Sequence, residues 1–361
     1  MWKLGMGRKI MERQVEEEAH QLVKIFASTK GQPFDPLPAI TNSVCNMVCA
    51  VNFGYRFSLE DENFQILIKT IDFGTNFGST YVFLLYELFP WIMKHLPGPH
   101  NKLLSLMEAV MSFIRQEIKR HKTHQNLHEP SDFIDFYLLQ MEKVNSSTTS
   151  FDEENLAVSI AEFFIAGTET MSITLQWGLL LMVAYPEIQE KVYKEMTDVF
   201  GSLHYISYQD RKKLPYTNAV IHEIQRFRYI LYTSIARYSV KDTEVLGIHV
   251  PKGTIILPDV SSAMFDPEQW ETPEQFNPHH FLDKDGNFMP KDAFLPFGAG
   301  ARVCLGEQLA KVELFLFFTS LLRAFTLQLP EGAGKPNLEP AIGVIVHPHA
   351  YQLCAIPRCN S

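Results

Sequence analysis

The sequence predicts a mainly helical fold with small β-sheets, in one unit spanning 1–361. Apolar residues recur at helical spacing through roughly the first two thirds of the chain. From Tyr229 the texture changes to short β-like runs divided by Pro and Gly, followed by one strongly apolar helix. No internal repeat or low-complexity tract interrupts this order. The composition agrees. Hydrophobic residues make up 46% and charged residues 20%, which suits a folded core. Twenty-seven Phe imply a large dry interior or a pocket for something apolar.

Residues 8–28 form the first helix, with Val15, Ala19, Leu22, Val23 and Phe26 at helical spacing. The segment 31–38 breaks it, and Asp35-Pro36 starts a second helix through Ala50. Two or three helices fill 60–125, interrupted at 89–99 by three prolines and a glycine. There Phe89, Trp91, Ile92 and Met93 form an apolar patch suited to a membrane surface or to a buried loop. His121, His124 and His128 stand among Lys119, Arg120, Lys122 and Glu129, which reads as a solvated charged face rather than a metal site. Ser150 with Glu153 fits a capping box that opens a long helix to about Tyr185, stopped by Pro186. The helical pattern continues to 228, with breaks near Gly201 and Pro215. Residues 245–248 and 254–257, with a Pro251-Lys252-Gly253 turn, read as short strands. Residues 258–300 are mostly loop, 305–325 a helix, and the tail returns to strands.

Charge and cysteine usage exclude several classes. With 32 basic and 41 acidic residues the chain carries -9, so it lacks the basic footprint of a nucleic-acid binder. Cys45, Cys49, Cys304, Cys354 and Cys359 are no disulfide framework and point to a reducing compartment. Cys45 and Cys49 share a helix face and read as small buried hydrophobes. Residues 1–20 have no apolar signal region, and no run reaches the roughly 18 apolar residues of a membrane span. The chain itself therefore shows no anchor.

The chemistry concentrates in Phe297-Gly-Ala-Gly-Ala-Arg-Val-Cys304-Leu-Gly306. A lone Cys stands where a Gly-rich loop meets a helix. Gly298, Gly300 and Gly306 allow tight turns and the close approach of a planar partner. The helix N-terminus and Arg302 favour a thiolate. A nucleophilic cysteine with a histidine base would use the same features. A merely structural cysteine needs neither three glycines nor an arginine.

Phe297, Gly300, Arg302, Cys304 and Gly306 resemble the haem-binding signature FxxGxRxCxG of the cytochromes P450. Three further motifs follow in family order. Ala166-Gly-Thr-Glu-Thr170 resembles the AGxET of helix I, Glu223-Ile-Gln-Arg226 the ExxR of helix K, and Pro278-His-His-Phe281 the Pro-Glu-Arg-Phe region with His280 in the arginine's place. Runs such as LPYTNAVIHEIQRF and ELFLFFTSLLRAF are similar to microsomal family 2 enzymes, and the resemblance covers nearly the whole chain.

The resemblance implies the P450 fold and a haem-thiolate monooxygenase. It makes Cys304 the axial thiolate ligand of haem b and places Phe297 in the haem loop. Arg237 and Arg302 become propionate contacts, since arginine binds carboxylates bidentately. Glu223, Arg226 and His280 become a structural brace for the cysteine loop. Thr170 would hold dioxygen and its water on a kinked helix, and Glu169 would feed the proton chain. Glu162, Phe163, Ala166, Leu231, Ile235, Val344 and Ile345 would line a pocket for a lipophilic fatty acid, steroid or foreign compound. Electrons would come from NADPH through cytochrome P450 reductase, with cytochrome b5 as a second donor, docking on Arg211, Lys212, Lys213 and Lys311. The location implied is the cytosolic face of the endoplasmic reticulum membrane, with peripheral membrane contact.

Set against the family, the chain starts near the end of helix C. The N-terminal anchor, the first sheet and most of helix C are missing from it. Trp2-Lys3 resembles the WxxxR motif of helix C, with Met6 where its arginine belongs. Tyr232 and Ala236 stand where relatives commonly have Pro. Two readings follow: an active monooxygenase, or a truncated and catalytically impaired relative that binds haem weakly or not at all and acts by association. A non-haem helical scaffold does not fit four ordered motifs.

Overall fold

The computed structural model describes residues 8–123, 130–143, 151–201, 206–231, 234–341 and 343–358. Expectations that fall on Trp2, Met6, His124, His128, Ser150, Tyr232 and Cys359 lie outside them.

The first helices are α1 (Arg8–Ser28), α2 (Leu37–Phe53) and α3 (Glu62–Gly78). Next come α4 (Tyr81–Leu88), α5 (Pro90–Met93), α6 (Pro99–Thr123) and α7 (Phe133–Lys143). The long α8 (Glu153–Ala184) leads to α9 (Pro186–Phe200) and α10 (Pro215–Phe227). A short α11 (Val260–Met264) precedes the closing helix α12 (Glu307–Ala324). Four helices thus occupy 60–125 rather than two or three. Pro90 and Pro99 begin α5 and α6, because Pro at the first helical position forfeits no hydrogen bond, and Pro97 stays in the link between them.

Local chemistry sets the boundaries. The Asp61 carboxylate accepts from Asn63 N and Phe64 N and opens α3. Gly54 closes α2 at φ +79°, where a side chain would be strained and its Cβ would lie 2.7 Å from Asp132 Oδ2. The start of α8 corrects the sequence reading. Its cap is Asp152, which accepts from Asn155 N at 2.7 Å, and Glu153 is already helical. His121 is a second correction. It is not solvated: its side chain is almost buried, with Nε2 3.0 Å from Asp132 Oδ2 and Nδ1 2.8 Å from Glu117 O.

Around α8 the core assembles. It packs on α2, α6 and α12, and α1 lies across α12. Leu156, Ile160, Phe164, Leu175, Leu179 and Met182 fill its inner side. Its composition would let it cross a membrane, yet half of its apolar window is buried inside the fold, so it serves as the core helix. Cys45 and Cys49 are fully buried on α2, as their spacing implied.

The strands form four two-stranded antiparallel sheets. They pair β1 (Arg237–Tyr238) with β4 (Ile255–Ile256), β2 (Thr243–Val245) with β3 (Ile248–Val250), β5 (Phe325–Gln328) with β8 (Cys354–Pro357), and β6 (Pro340–Ala341) with β7 (His347–Pro348). The strand expected at 245–248 is instead a hairpin tip. Leu246 and Gly247 take φ of 52° and 78°, the double left-handed geometry of a tight turn, and Leu246 is 99% exposed. Helix α10, the loops after α11 and the loop before α12 thereby lie side by side, and they carry the site.

Candidate functional site

The cysteine loop is held by its own backbone. Cys304 N donates to Phe297 O (2.9 Å), Val303 N to Gly300 O (3.1 Å) and Gly298 N to Leu295 O (3.0 Å). Gly298 and Gly300 sit at φ +72° and +75°, which L side chains rarely adopt. A Cβ at either would meet nothing within 4 Å, so the glycines answer to backbone geometry and leave the loop's face bare. Cys304 is exposed, two residues ahead of Gly306, the N-cap of α12. Arg302 is exposed too and makes no hydrogen bond or ion pair with the described residues. Phe297 is half-buried, with Lys311 Nζ 5.7 Å from its ring centre.

Arg237 opens β1, and its Nη1 donates to Ile235 O at 2.6 Å. Ile235 is 69% exposed and Leu231 half-buried beside the Trp177 cluster. Val344 is 54% exposed, and its N–H donates to Ser79 Oγ (3.3 Å). Gly78 comes so close that a Cβ there would lie 2.9 Å from the Val344 side chain. The end of α3 therefore meets the tail turn, a contact the sequence reading missed. Ile345 is 9% exposed and packs with Ile173, Trp177 and Leu180. Phe163 likewise turns to α7, its ring 5.0 Å from Phe133.

Helix α8 runs unbroken through the Ala166–Thr170 stretch. Glu162 and Ala166 are exposed and Thr170 half-exposed on one side of it. Thr170 Oγ1 donates to Ala166 O (2.7 Å), so its hydroxyl is satisfied within the helix while its oxygen still offers lone pairs. Glu169, three residues on from Ala166, lies near Asp72 and Thr75 of α3. Burial, and then the Asp72 charge, push its carboxyl up to about 7. Spacing of Asp72 and Thr75 at i, i+3 was the available signal for this partner face.

Behind the loop lies a sealed polar network. Glu223 and Arg226 are fully buried, joined by Nη2–Oε1 at 2.7 Å and Nε–Oε2 at 2.8 Å. Arg226 also donates to the carbonyls of Met264, Pro273 and Gln275. Glu223 accepts from Asn277 N (2.9 Å), and His280 Nδ1 lies 3.2 Å from it. The end of α11 and the stretch 273–280 are thus tied to one helix face. Phe281, Trp270 and Phe294 pack beside them, which connects the network to the strand of chain entering the cysteine loop.

A haem, planar and apolar with two carboxylates, fits these residues: an exposed thiol, a bare glycine loop and an exposed arginine with no hydrogen bond or ion pair to the described residues. Two clefts of about 200 and 290 Å³ lie elsewhere, beside Tyr208 and Arg211.

Comparison with known proteins bears on the same residues. The cytochrome P450 family model matches residues 3–355. Cytochrome P450 2J5 of Mus musculus is 45% identical over 354 residues, covering 98% of this chain and 70% of that protein. Cytochrome P450 2J2 of Homo sapiens is 45% identical over 355 residues with the same coverage. Cytochrome P450 2C23 of Rattus norvegicus is 41% identical over 356 residues, with 98% and 72% covered. The chain thus belongs to the cytochrome P450 family and is a monooxygenase of the family 2 kind.

Proposed function

We propose that this chain is a haem-thiolate monooxygenase that inserts one oxygen atom of O2 into a lipophilic substrate, with Cys304 as the axial ligand of haem b. The observation that carries the reading is the exposed Cys304 thiol on a glycine loop at the N-terminus of α12, with the exposed Arg302 beside it. A haem bound there supplies the activation of dioxygen, which a thiolate ligand favours by donating electron density. Arg302 and Arg237 hold its propionates, and Phe297 anchors the loop under it. Glu223, Arg226 and His280 brace that loop from behind.

Thr170 orients dioxygen and water with its hydroxyl, and Glu169 supplies protons. Ala166, Ile235 and Val344, with Leu231 at the edge and Glu162 at the rim, shape an apolar pocket suited to a fatty acid, a steroid or a foreign compound. The chain works as one domain; its largest core cluster, with residues drawn from Val15 through to Ala355, supports this.

Electrons come from NADPH through cytochrome P450 reductase, with cytochrome b5 as second donor, at Arg211, Lys212, Lys213 and Lys311. The chain would work at the cytosolic face of the endoplasmic reticulum membrane; its likeness to family 2 enzymes supports the membrane location. Tyr81, Leu84, Leu88, Phe89 and Trp91, all exposed on α4, α5 and the residues around them, suit contact with it.

The test is the carbon monoxide spectrum of the reduced protein. Cys304→Ala is expected to abolish the red-shifted thiolate band while Cys45→Ala keeps it. Retention of that band in Cys304→Ala overturns the assignment. For the oxygen-activating pair, Thr170→Ala is expected to keep haem content and raise the peroxide formed per NADPH consumed.

A further inference from the structure

We propose that the cleft where the helical turn Tyr208–Lys213, α10 and α12 meet is a second ligand site, separate from the cysteine loop, for a small aromatic anion of the aryl sulfonate or sulfate kind. The cleft holds about 290 Å³, and all three elements line it. That is just under the usual size of ligand pockets, roughly 300–1,000 Å³, so the occupant is small.

Three observations carry the inference. First, the cleft is cationic. Arg211 and Lys311 line it from separate elements, and no carboxylate is among its lining residues. The Arg211 guanidinium lies 4.0 Å from the Tyr208 ring centre, and its Nη1 donates to Tyr208 O at 2.9 Å. It makes no ion pair with the described residues, so its other donors remain for an anion. Lys311 is shared, its Nζ standing 2.6 Å from Glu307 Oε1. The acids close by are engaged elsewhere: Asp210 with Ser207 and Lys213, and Glu12 with Tyr208 N.

Second, Asn218, Gln225 and Gln308 line the cleft, and their side-chain amides make no hydrogen bond with the described residues. Sulfonate oxygens accept from amide N–H groups as they do from guanidinium. His222 adds no charge. Burial first, and the Lys311 and Arg211 charges in addition, push its imidazole down to about 4. Its Nδ1 donates to Asn218 O at 2.7 Å, so it lines the cleft as a neutral ring.

Third, the floor is apolar. Ile221, Leu314 and Phe315 are buried core residues that reach the cleft, with the Phe315 ring 5.8 Å from that of Tyr208. Polar walls over an apolar floor suit a flat aromatic body with one anionic end. Inorganic phosphate would leave the floor uncovered, and a hydrocarbon would leave the cations and amides unanswered. An anion held between Arg211 and Lys311 competes with the reductase for them, a consequence that rests on the docking reading above.

The experiment uses the haem-loaded protein with a bulky azole on the haem iron, so that the substrate pocket is filled. Naphthalenesulfonate is titrated into it by calorimetry. One saturable site is expected. Arg211→Gln should weaken it roughly tenfold or more, the loss of a charge-assisted bond. Gln225→Trp, which fills the cleft, should abolish binding, with circular dichroism confirming the fold. Lys213→Gln, a cation outside the lining, should leave it unchanged. Naphthol, the same rings without the charge, should bind at least roughly tenfold more weakly. Absence of saturable binding overturns the inference, as does equal affinity in the wild type and both cleft variants, or equal affinity for naphthol. At saturation, haem reduction by the reductase should slow while reduction by dithionite stays the same. An unmoved reductase rate with intact binding overturns instead the docking reading, and with it only the competition.

Discussion

The ExxR network and the cysteine loop are neighbours with opposite finishes. In the network every charge is buried and answered: Arg226 has Glu223 and three carbonyls, and Glu223 has Arg226, Asn277 N and His280. In the loop the thiol and Arg302 are exposed, with no hydrogen bond or ion pair to the described residues, on glycines with open space around them. A buried charge without a partner costs several kcal/mol, so a fold leaves none unanswered unless water or a ligand answers it. The difference marks which polar groups serve the fold and which are held ready for something else.

Breaking the network gives the largest expected effect. Arg226→Ala leaves Glu223 and three carbonyls without their donor, and stability should fall by about 3–5 kcal/mol. Urea denaturation followed by circular dichroism measures it. A loss under about 1 kcal/mol would mean that the pair is dispensable.

A buried acid elsewhere lacks that satisfaction. Glu313 on α12 is almost fully buried, its Oε1 has no partner, and burial pushes its carboxyl up to about 8. The folded chain therefore holds a proton that the unfolded chain loses near its ordinary value of 4.5. Between those two values the folded state binds more protons, so stability falls as pH rises, by up to about 1.4 kcal/mol per unit. Glu313→Gln should flatten that slope and be the more stable form at pH 8. Parallel slopes for the two proteins would count against it.

Smaller effects belong to the loop. Gly298→Ala forces a side chain into φ +72° with nothing for its Cβ to touch, so the cost is backbone strain alone, about 1 kcal/mol. Thermal unfolding of the haem-free chain reads it. Arg302→Ala should change haem-free stability by no more than about 0.5 kcal/mol. Its effect appears in haem titration instead, where one lost charge-assisted bond of about 1.5–3 kcal/mol weakens affinity roughly ten- to hundredfold. Equal losses in both assays would erase the distinction between the two regions.

By itself the sequence determined what is local. Helical spacing, Pro and Gly placed α1, α2, α8, α10 and α12 to within a few residues, because periodicity and backbone restriction act over one or two turns. The ordered motifs marked Cys304, Arg302, Thr170, Glu223 and Arg226, because their chemistry needs fixed residue types at fixed spacing. Tertiary structure decided what depends on distant neighbours. His121 is paired rather than solvated because Asp132 folds back from α7 to meet it. Asp152 rather than Ser150 caps α8, a choice between candidates two residues apart that the pattern alone does not make. Ile345 packs on Trp177, and Phe163 on Phe133, because those rings lie where no spacing rule puts them. Glu169 lies near Asp72 because α3 packs on α8, and the side of a helix that meets a partner 97 residues earlier is fixed only when both are packed.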